Sequence, residues 1–240
     1  MRILITNDDG IHAPGIAHLV RWAGKLGEVV VAAPAVEQSA KSHAIQIHND
    51  FRAEKVDCHG AVRAYKVDST PADCVRFAVL GMEEKVDLVL SGINRGLNVG
   101  SDILYSGTVA AVFEAGVLGI PAIAVSTQPE SFDGAVGALD QILDFFRRHR
   151  LMEKGSLYNV NIPLAPKGIR ITRQGGPYYS DRFLPREDNM YHPDGYSVYA
   201  PSNEEFDTDT VLTHSCISIM PLQVSRANTE VWNALRHISE

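Results

Sequence analysis

The sequence predicts an α/β domain built on a doubly wound, mainly parallel sheet. Three observations carry that prediction. Short β-branched apolar runs such as Arg2–Thr6, Glu28–Ala33, Val86–Leu90 and Pro121–Ser126 lack in-out alternation, as strands buried on both faces require. Segments of helical period separate them. Each run empties into a polar, glycine-bearing loop, the usual β-loop-α grammar of such sheets. With 240 residues the chain suffices for one such domain. The expected partition is a core of about 1–173 and 216–240, with an arm over about 175–215.

The elements follow in order. Arg2–Thr6 is the first strand, stopping at Asn7-Asp8-Asp9-Gly10. Pro14-Gly15 opens a helix whose Ile16, Leu19, Val20, Ala23 and Leu26 share one face, and Gly27 ends it. Glu28–Ala33 is a second strand closed by Pro34, and residues 44–67 read as a hairpin turning at His59-Gly60. Thr70-Pro71-Ala72-Asp73 starts a helix, with a Thr cap, Pro at the first position and an acid in the first turn. Val86–Leu90 is a third strand, followed by a loop with four glycines between Gly92 and Gly107, a density that serves close backbone approach or unusual φ values. A helix from Thr108, the strand 121–126 and a helix over about 132–150 come next. Strands are expected at 157–162, 168–173 and 216–222, and a helix from Thr229. Between them, 175–215 lacks helical period but holds Tyr178, Tyr179, Phe183, Tyr191, Tyr196 and Tyr199, too apolar for a disordered linker. It reads as an arm that packs on something, such as another subunit.

Composition narrows the function. A net charge of −7 without Lys/Arg runs argues against a nucleic-acid duplex as partner. Cys58, Cys74 and Cys216 are odd in number and show no C-x-x-C spacing, so neither a disulfide framework nor a zinc knuckle is indicated. The N-terminus enters a strand without a signal-peptide pattern, and no apolar run nears the roughly 18–20 residues of a membrane span. A cytoplasmic protein is expected.

In open α/β sheets ligands bind beyond the carboxyl ends of the strands, near a switch in strand order. Three such ends here carry oxygen side chains: Asp8 and Asp9, Ser39, and Asn94. Adjacent carboxylates repel and raise each other's pKa, so either a solvated turn or a cation between them must offset the cost. A cation held by these four residues would be hard, Mg²⁺, Mn²⁺ or Ca²⁺ rather than zinc or copper. A second feature, Tyr105-Ser106-Gly107-Thr108 at a helix start, is either an ordinary cap or an anion seat made by backbone N–H groups, two hydroxyls and the helix dipole. Asn98 in the glycine-rich loop favours the anion seat. Among the histidines, His12 and His43 lie in these loops but carry no decisive pattern.

NDDGIHAPGI, the Ser39 loop, STPADCV, SGINRGLNVG and YSGTVAAVFEAG, in this order, resemble the SurE (survival protein E) family. The resemblance is dense to about residue 127 and continues through YNVNIP (158–163), Ile171-Thr172-Arg173 and CISIMPL (216–222). It implies a three-layer Rossmann-like core with a projecting hairpin, and dimers or tetramers built with the C-terminal arm. It also implies metal-dependent hydrolysis of nucleoside 5'-monophosphates, with 3'-monophosphates and short polyphosphate as further substrates. The family's metal ligands fall on Asp8, Asp9, Ser39 and Asn94, with one Mg²⁺ or Mn²⁺ per subunit. Its phosphate contacts fall on Asn98, Ser106, Gly107 and Thr108, and Asp8 or Asp9 is the candidate nucleophile or base. This chain departs from the pattern at Ala40, Ser69 and Ser215-Cys216, where the family carries Gly, Gly and Gly-Tyr. A haloacid-dehalogenase reading fails because its acids stand two apart. The alternative from another class is a nucleotide-binding regulatory protein without turnover, but no G-x-G-x-x-G or Walker loop follows the first strand.

Overall fold

The computed structural model describes residues 1–202 and 204–238. Asn203, within the expected arm, and Ser239 and Glu240, at the end of the expected core, lie outside the described residues.

The first strand, β1 (Arg2–Thr6), is the centre of construction. Ile3, Leu4 and Ile5 are fully buried, each side chain contributing about 1.5–3 kcal/mol. It pairs in parallel with β2 (Glu28–Pro34) on one side and β5 (Leu88–Arg95) on the other. Around it a nine-stranded sheet forms in the order β3-β4-β2-β1-β5-β6-β7-β11-β8. Here β3 is Ala53–Lys55, β4 Arg63–Val67, β6 Ala122–Thr127, β7 Leu157–Ile162, β8 Ile169–Ile171 and β11 Ile217–Leu222. The segment from β4 to β7 is parallel, while β3 and β11 run antiparallel to β4 and β7.

Alternate residues of the strands point to opposite faces, and helices cover both. One face holds α1 (Pro14–Ala23) and α4 (Asp133–His149), where Ile16, Leu19, Leu139, Ile142 and Phe146 meet Ile3 and Ile5. The other holds α2 (Pro71–Arg76) and α3 (Gly107–Val117), where Cys74, Val75, Val109 and Val112 meet Leu4 and Val30. The Thr70 cap accepts from the Asp73 N–H at 3.2 Å, as the sequence predicts. A short α5 (Leu151–Lys154) follows the left-handed Arg150, and α6 (Asp207–Leu212) and α7 (Thr229–Leu235) complete the helices described.

Several boundaries differ from the sequence reading, each for a tertiary reason. β5 runs on to Arg95, because its parallel pairing with β6 continues through Asn94↔Ser126 and Arg95↔Thr127 after a register shift at Gly92. Asn94 therefore sits on a strand and not in a loop. Of the hairpin expected over 44–67, β3 and β4 form about the His59-Gly60 turn and join the main sheet as its edge, while 44–52 carry no strand. What projects is a separate hairpin of β9 (Tyr179–Pro185) and β10 (Tyr191–Ser197). It is shorter than the expected arm, since Asp207–Val211 of α6 are buried in the core. Helix α7 has no buried residue.

Candidate active site

The chain leaves β1 for β2 on one side and later returns through β5 on the other, so the strand order switches between β1 and β5. The two segments that leave this point carry Asp8 and Asp9 after β1, and Asn94 at the end of β5. A cleft of about 360 Å³ opens there, lined by Asp8, Asp9, Ser39, Asn94, Asn98 and Ser106, together with Glu37, Arg95, Asp102 and Tyr105. All four expected metal ligands and two of the expected phosphate contacts thus share one space. A larger apolar cleft of about 560 Å³ lies between α1 and α4, lined by Leu26, Leu90, Leu139 and Phe146. It carries none of these polar residues.

Asp8 is 5% exposed, and burial pushes its carboxyl up to about 6 against a lowering hydrogen bond from Thr108 and a raising contribution from Asp9. The carboxyl of Asp9 is also raised, first by burial and further by Glu37, while the Arg95 N–H, 3.2 Å from Oδ2, works the other way. No lysine, arginine or histidine among the described residues forms an ion pair with either acid. The Arg95 guanidinium instead donates from Nε to Pro129 O at 2.8 Å. Asn94 donates from Nδ2 to Gly96 O at 2.9 Å, and Ser39 Oγ donates to Glu37 at 2.6 Å. Asn94 keeps its Oδ1, and Ser39 the lone pairs of its hydroxyl, for a cation. The donors are all oxygen, two of them carboxylates without an ion-pair partner among the described residues, which fits one hard divalent cation.

The helix start at Ser106–Thr108 holds an anion, but that anion is the protein's own. Thr108 Oγ1 donates to Asp8 Oδ1 at 2.5 Å, and the Thr108 N–H also favours the Asp8 carboxylate. Gly107 lets the helix come this close, since a Cβ there would lie 2.9 Å from Asp8 Cβ. Ser106 is the helix cap, its Oγ accepting from the Val109 N–H at 3.1 Å. The Thr108 hydroxyl, expected at the phosphate, is engaged by Asp8 in this structure, and the cleft is lined by Asn98 and Ser106 of the expected phosphate contacts and not by Gly107 or Thr108.

The Ser39 loop is fastened by contacts that sequence reasoning missed. Gln38 N–H donates to Asp8 O at 2.7 Å, Ser42 N–H to Tyr105 O at 3.0 Å, and His43 Nε2 lies 2.9 Å from the buried Glu114 of α3. The His43 hydrogen bond is the main cause that holds the Glu114 carboxyl below its usual range, with Arg76 adding to it. All three departures from the family pattern gain a physical meaning. Ala40 and Ser215 sit at φ 57° and 52°, the left-handed region that glycine prefers. Ser69 donates to Asp73 at 2.6 Å, a bond glycine cannot make.

Burial of Asp8 has a consequence for stability. The folded state keeps a proton on this carboxyl that the unfolded chain gives up near 3.8, so stability falls as pH rises from about 4 to about 6 and is level above. Without metal, Asp8→Asn is expected to be more stable than wild type at pH 8 by about 1–3 kcal/mol. The difference should vanish near pH 4. Urea unfolding in chelator at the two pH values measures it.

The family model for survival protein SurE matches residues 3–181. The chain belongs to the SurE family. It is 39% identical over 248 residues to "5'-nucleotidase SurE" of Syntrophotalea carbinolica, covering 98% of this chain and 96% of that one. To the protein of that name from Carboxydothermus hydrogenoformans it is 42% identical, covering 98% and 95%. The crystal structure of the SurE protein from Aquifex aeolicus superposes with a TM-score of 0.82 at 34% identity, covering 99% of each chain. The agreement extends through this SurE chain's β11 and α7, beyond the residues that the family model matches.

Proposed function

We propose that this SurE-family protein is a metal-dependent 5'-nucleotidase that hydrolyses the phosphomonoester of nucleoside 5'-monophosphates, with 3'-monophosphates and short polyphosphate as further substrates. The observation that carries the reading is the cleft at the β1/β5 switch, where Asp8 and Asp9 stand beside Glu37 and Asp102 and, among the described residues, form no ion pair with a side-chain cation. A phosphate dianion enters such a field only if a cation is there to bridge. The names of the relatives support a nucleotidase.

Asp8, Asp9, Ser39 and Asn94 would hold one Mg²⁺ or Mn²⁺, which supplies Lewis-acid polarisation of the phosphoryl group and activation of water. The chain's own residues do the rest. Thr108 keeps Asp8 ionised and oriented. Asn98, with Ser106 beside it, faces the phosphoryl oxygens and stabilises charge on them. Asp9, the more accessible acid, is placed to take a proton from the attacking water. Phosphate release from a panel of nucleoside monophosphates tests the reading. It should stop in excess chelator and return with Mg²⁺ or Mn²⁺, and full turnover by metal-free protein would overturn it. No helix among the described residues is long and apolar enough to cross a membrane.

The hairpin β9–β10 supports a homodimer or tetramer. Phe183, Met190 and Tyr191 are more than 60% exposed on it, and aromatic side chains of this size each bury roughly 150–250 Å² when covered. A self-complementary contact across a two-fold axis covers them. Deleting residues 181–195 while keeping the Tyr179 N–H on Asp102 is expected to give smaller assemblies by light scattering, with metal affinity retained. A monomeric intact protein at micromolar concentration would overturn the assignment.

A further inference from the structure

Of the motifs in the sequence, YNVNIP takes no part in the cleft, yet it lies directly behind it. Asn159 and Asn161 of β7 are completely buried, two residues apart and therefore on the same face of the strand. Both aim at one residue. Asn161 Oδ1 accepts from the Asn98 N–H at 2.8 Å, and its Nδ2 donates to Asn98 O at 2.8 Å. Asn159 Nδ2 donates to the same carbonyl at 2.7 Å. The Asn98 side chain is held as well, donating from Nδ2 to Ser126 Oγ on β6 at 2.8 Å. Two residues later in the chain, the Gly100 N–H is fixed on Asp207 Oδ2 at 2.9 Å.

This is more restraint than a loop needs to stay folded. Asn161 pairs with the Asn98 main chain as a neighbouring strand would, but through a side-chain amide, so the hold is on one residue and in one orientation. The Ser126 bond uses one amide hydrogen of Asn98 and leaves the other, on a residue that lines the cleft. A group that must meet charge developing on a phosphoryl oxygen gains from being fixed beforehand, because no reorganisation is then needed at the moment of reaction.

We propose that Asn161, with Asn159 and Ser126, is a positioning residue that aims the Asn98 amide at the phosphoryl group. The proposal rests on the reading of the cleft as a phosphate site. Asn161 does not touch substrate and acts through Asn98 alone.

A double-mutant cycle tests it, with two readouts: binding of inorganic phosphate to the Mn²⁺-loaded protein by calorimetry, and kcat on a nucleoside monophosphate. Asn161→Ala should weaken phosphate binding and lower kcat by about 10–100-fold, the usual cost of removing a partner that orients a liganding group, with Mn²⁺ affinity unchanged. Asn159→Ala, which leaves the Asn98 carbonyl one partner, should cost less. In an Asn98→Ala background the Asn161→Ala cost should fall to within about twofold, since nothing remains to be aimed. Equal costs in both backgrounds, or loss of Mn²⁺ affinity, would show general structural damage and overturn the proposal, as would phosphate binding unchanged by Asn161→Ala or undetectable in wild type. Should Asn161→Ala not fold, Ser126→Ala gives the same cycle, because it removes only the bond to the amide and leaves the main-chain pairing intact. Failure of nucleotide hydrolysis by the wild type would sink the nucleotidase reading separately, leaving the phosphate titration to decide this one.

Discussion

Replacing Asp9 by Asn is expected to lower Mn²⁺ affinity and nucleotide turnover by about 10³-fold or more, to the limit of detection, with no loss of folding stability. The side chain keeps its shape and the acceptor for the Arg95 N–H, so the β1 and β5 loops stay joined. What disappears is a half-buried charge that forms no ion pair among the described residues, one of only two formal charges in the ligand set. In the metal-free protein that charge is a burden, raised in pKa by burial and by Glu37. The variant should therefore melt no lower than wild type in chelator, while calorimetry shows no Mn²⁺ binding at concentrations that saturate wild type. Turnover at the wild-type rate would remove Asp9 from the site.

Thr108→Val is expected to cost about 10–100-fold in turnover at pH 7, the scale of a hydrogen bond to a buried charged group. Valine matches threonine in shape, so the fully buried position stays filled. The loss acts through Asp8. Thr108 is the main influence holding that carboxyl down against desolvation, so without its hydroxyl the pKa climbs further above about 6. A carboxyl with a higher pKa is less ionised at neutral pH, and a cation must displace its proton. The acid limb of the pH–rate profile should move to higher pH, and much of the deficit should be recovered near pH 9. A deficit independent of pH would instead place the hydroxyl on the phosphoryl group, as the sequence alone suggests.

That difference shows where sequence reasoning stops. The strands of the main sheet and both helix layers were legible because their signals are local: β-branched runs, one-face apolar spacing, a Thr-Pro helix start. Of the residues that line the cleft, Asp8, Asp9, Ser39 and Asn94 were legible because strand ends converge in this fold class, and Asn98 and Ser106 because a glycine-rich loop leads into a helix start. A contact between Thr108 and Asp8, a hundred residues apart, was not legible, since it depends on how closely α3 approaches β1. For the same reason His43 looked like any loop histidine until Glu114 stood beside it. Asn94 looked like a loop residue because the ladder that extends β5 belongs to its neighbour β6. Asn159 and Asn161 did carry a signal: two amides at alternate positions of an otherwise apolar strand have nowhere inexpensive to go unless they are paired.

The position of β1 in the sheet also sets how the molecule comes apart. This strand has parallel neighbours on both sides and helices on both faces, so its amides cannot be exposed without breaking the whole sheet. Hydrogen exchange at Ile3–Thr6 and along the buried part of β5 then reports global unfolding. The β9–β10 ladder is paired only with itself and can open by itself at a fraction of that free energy. The frame that carries Asp8, Asp9 and Asn94 belongs to the last cooperative unit to melt, and the projecting hairpin to the first.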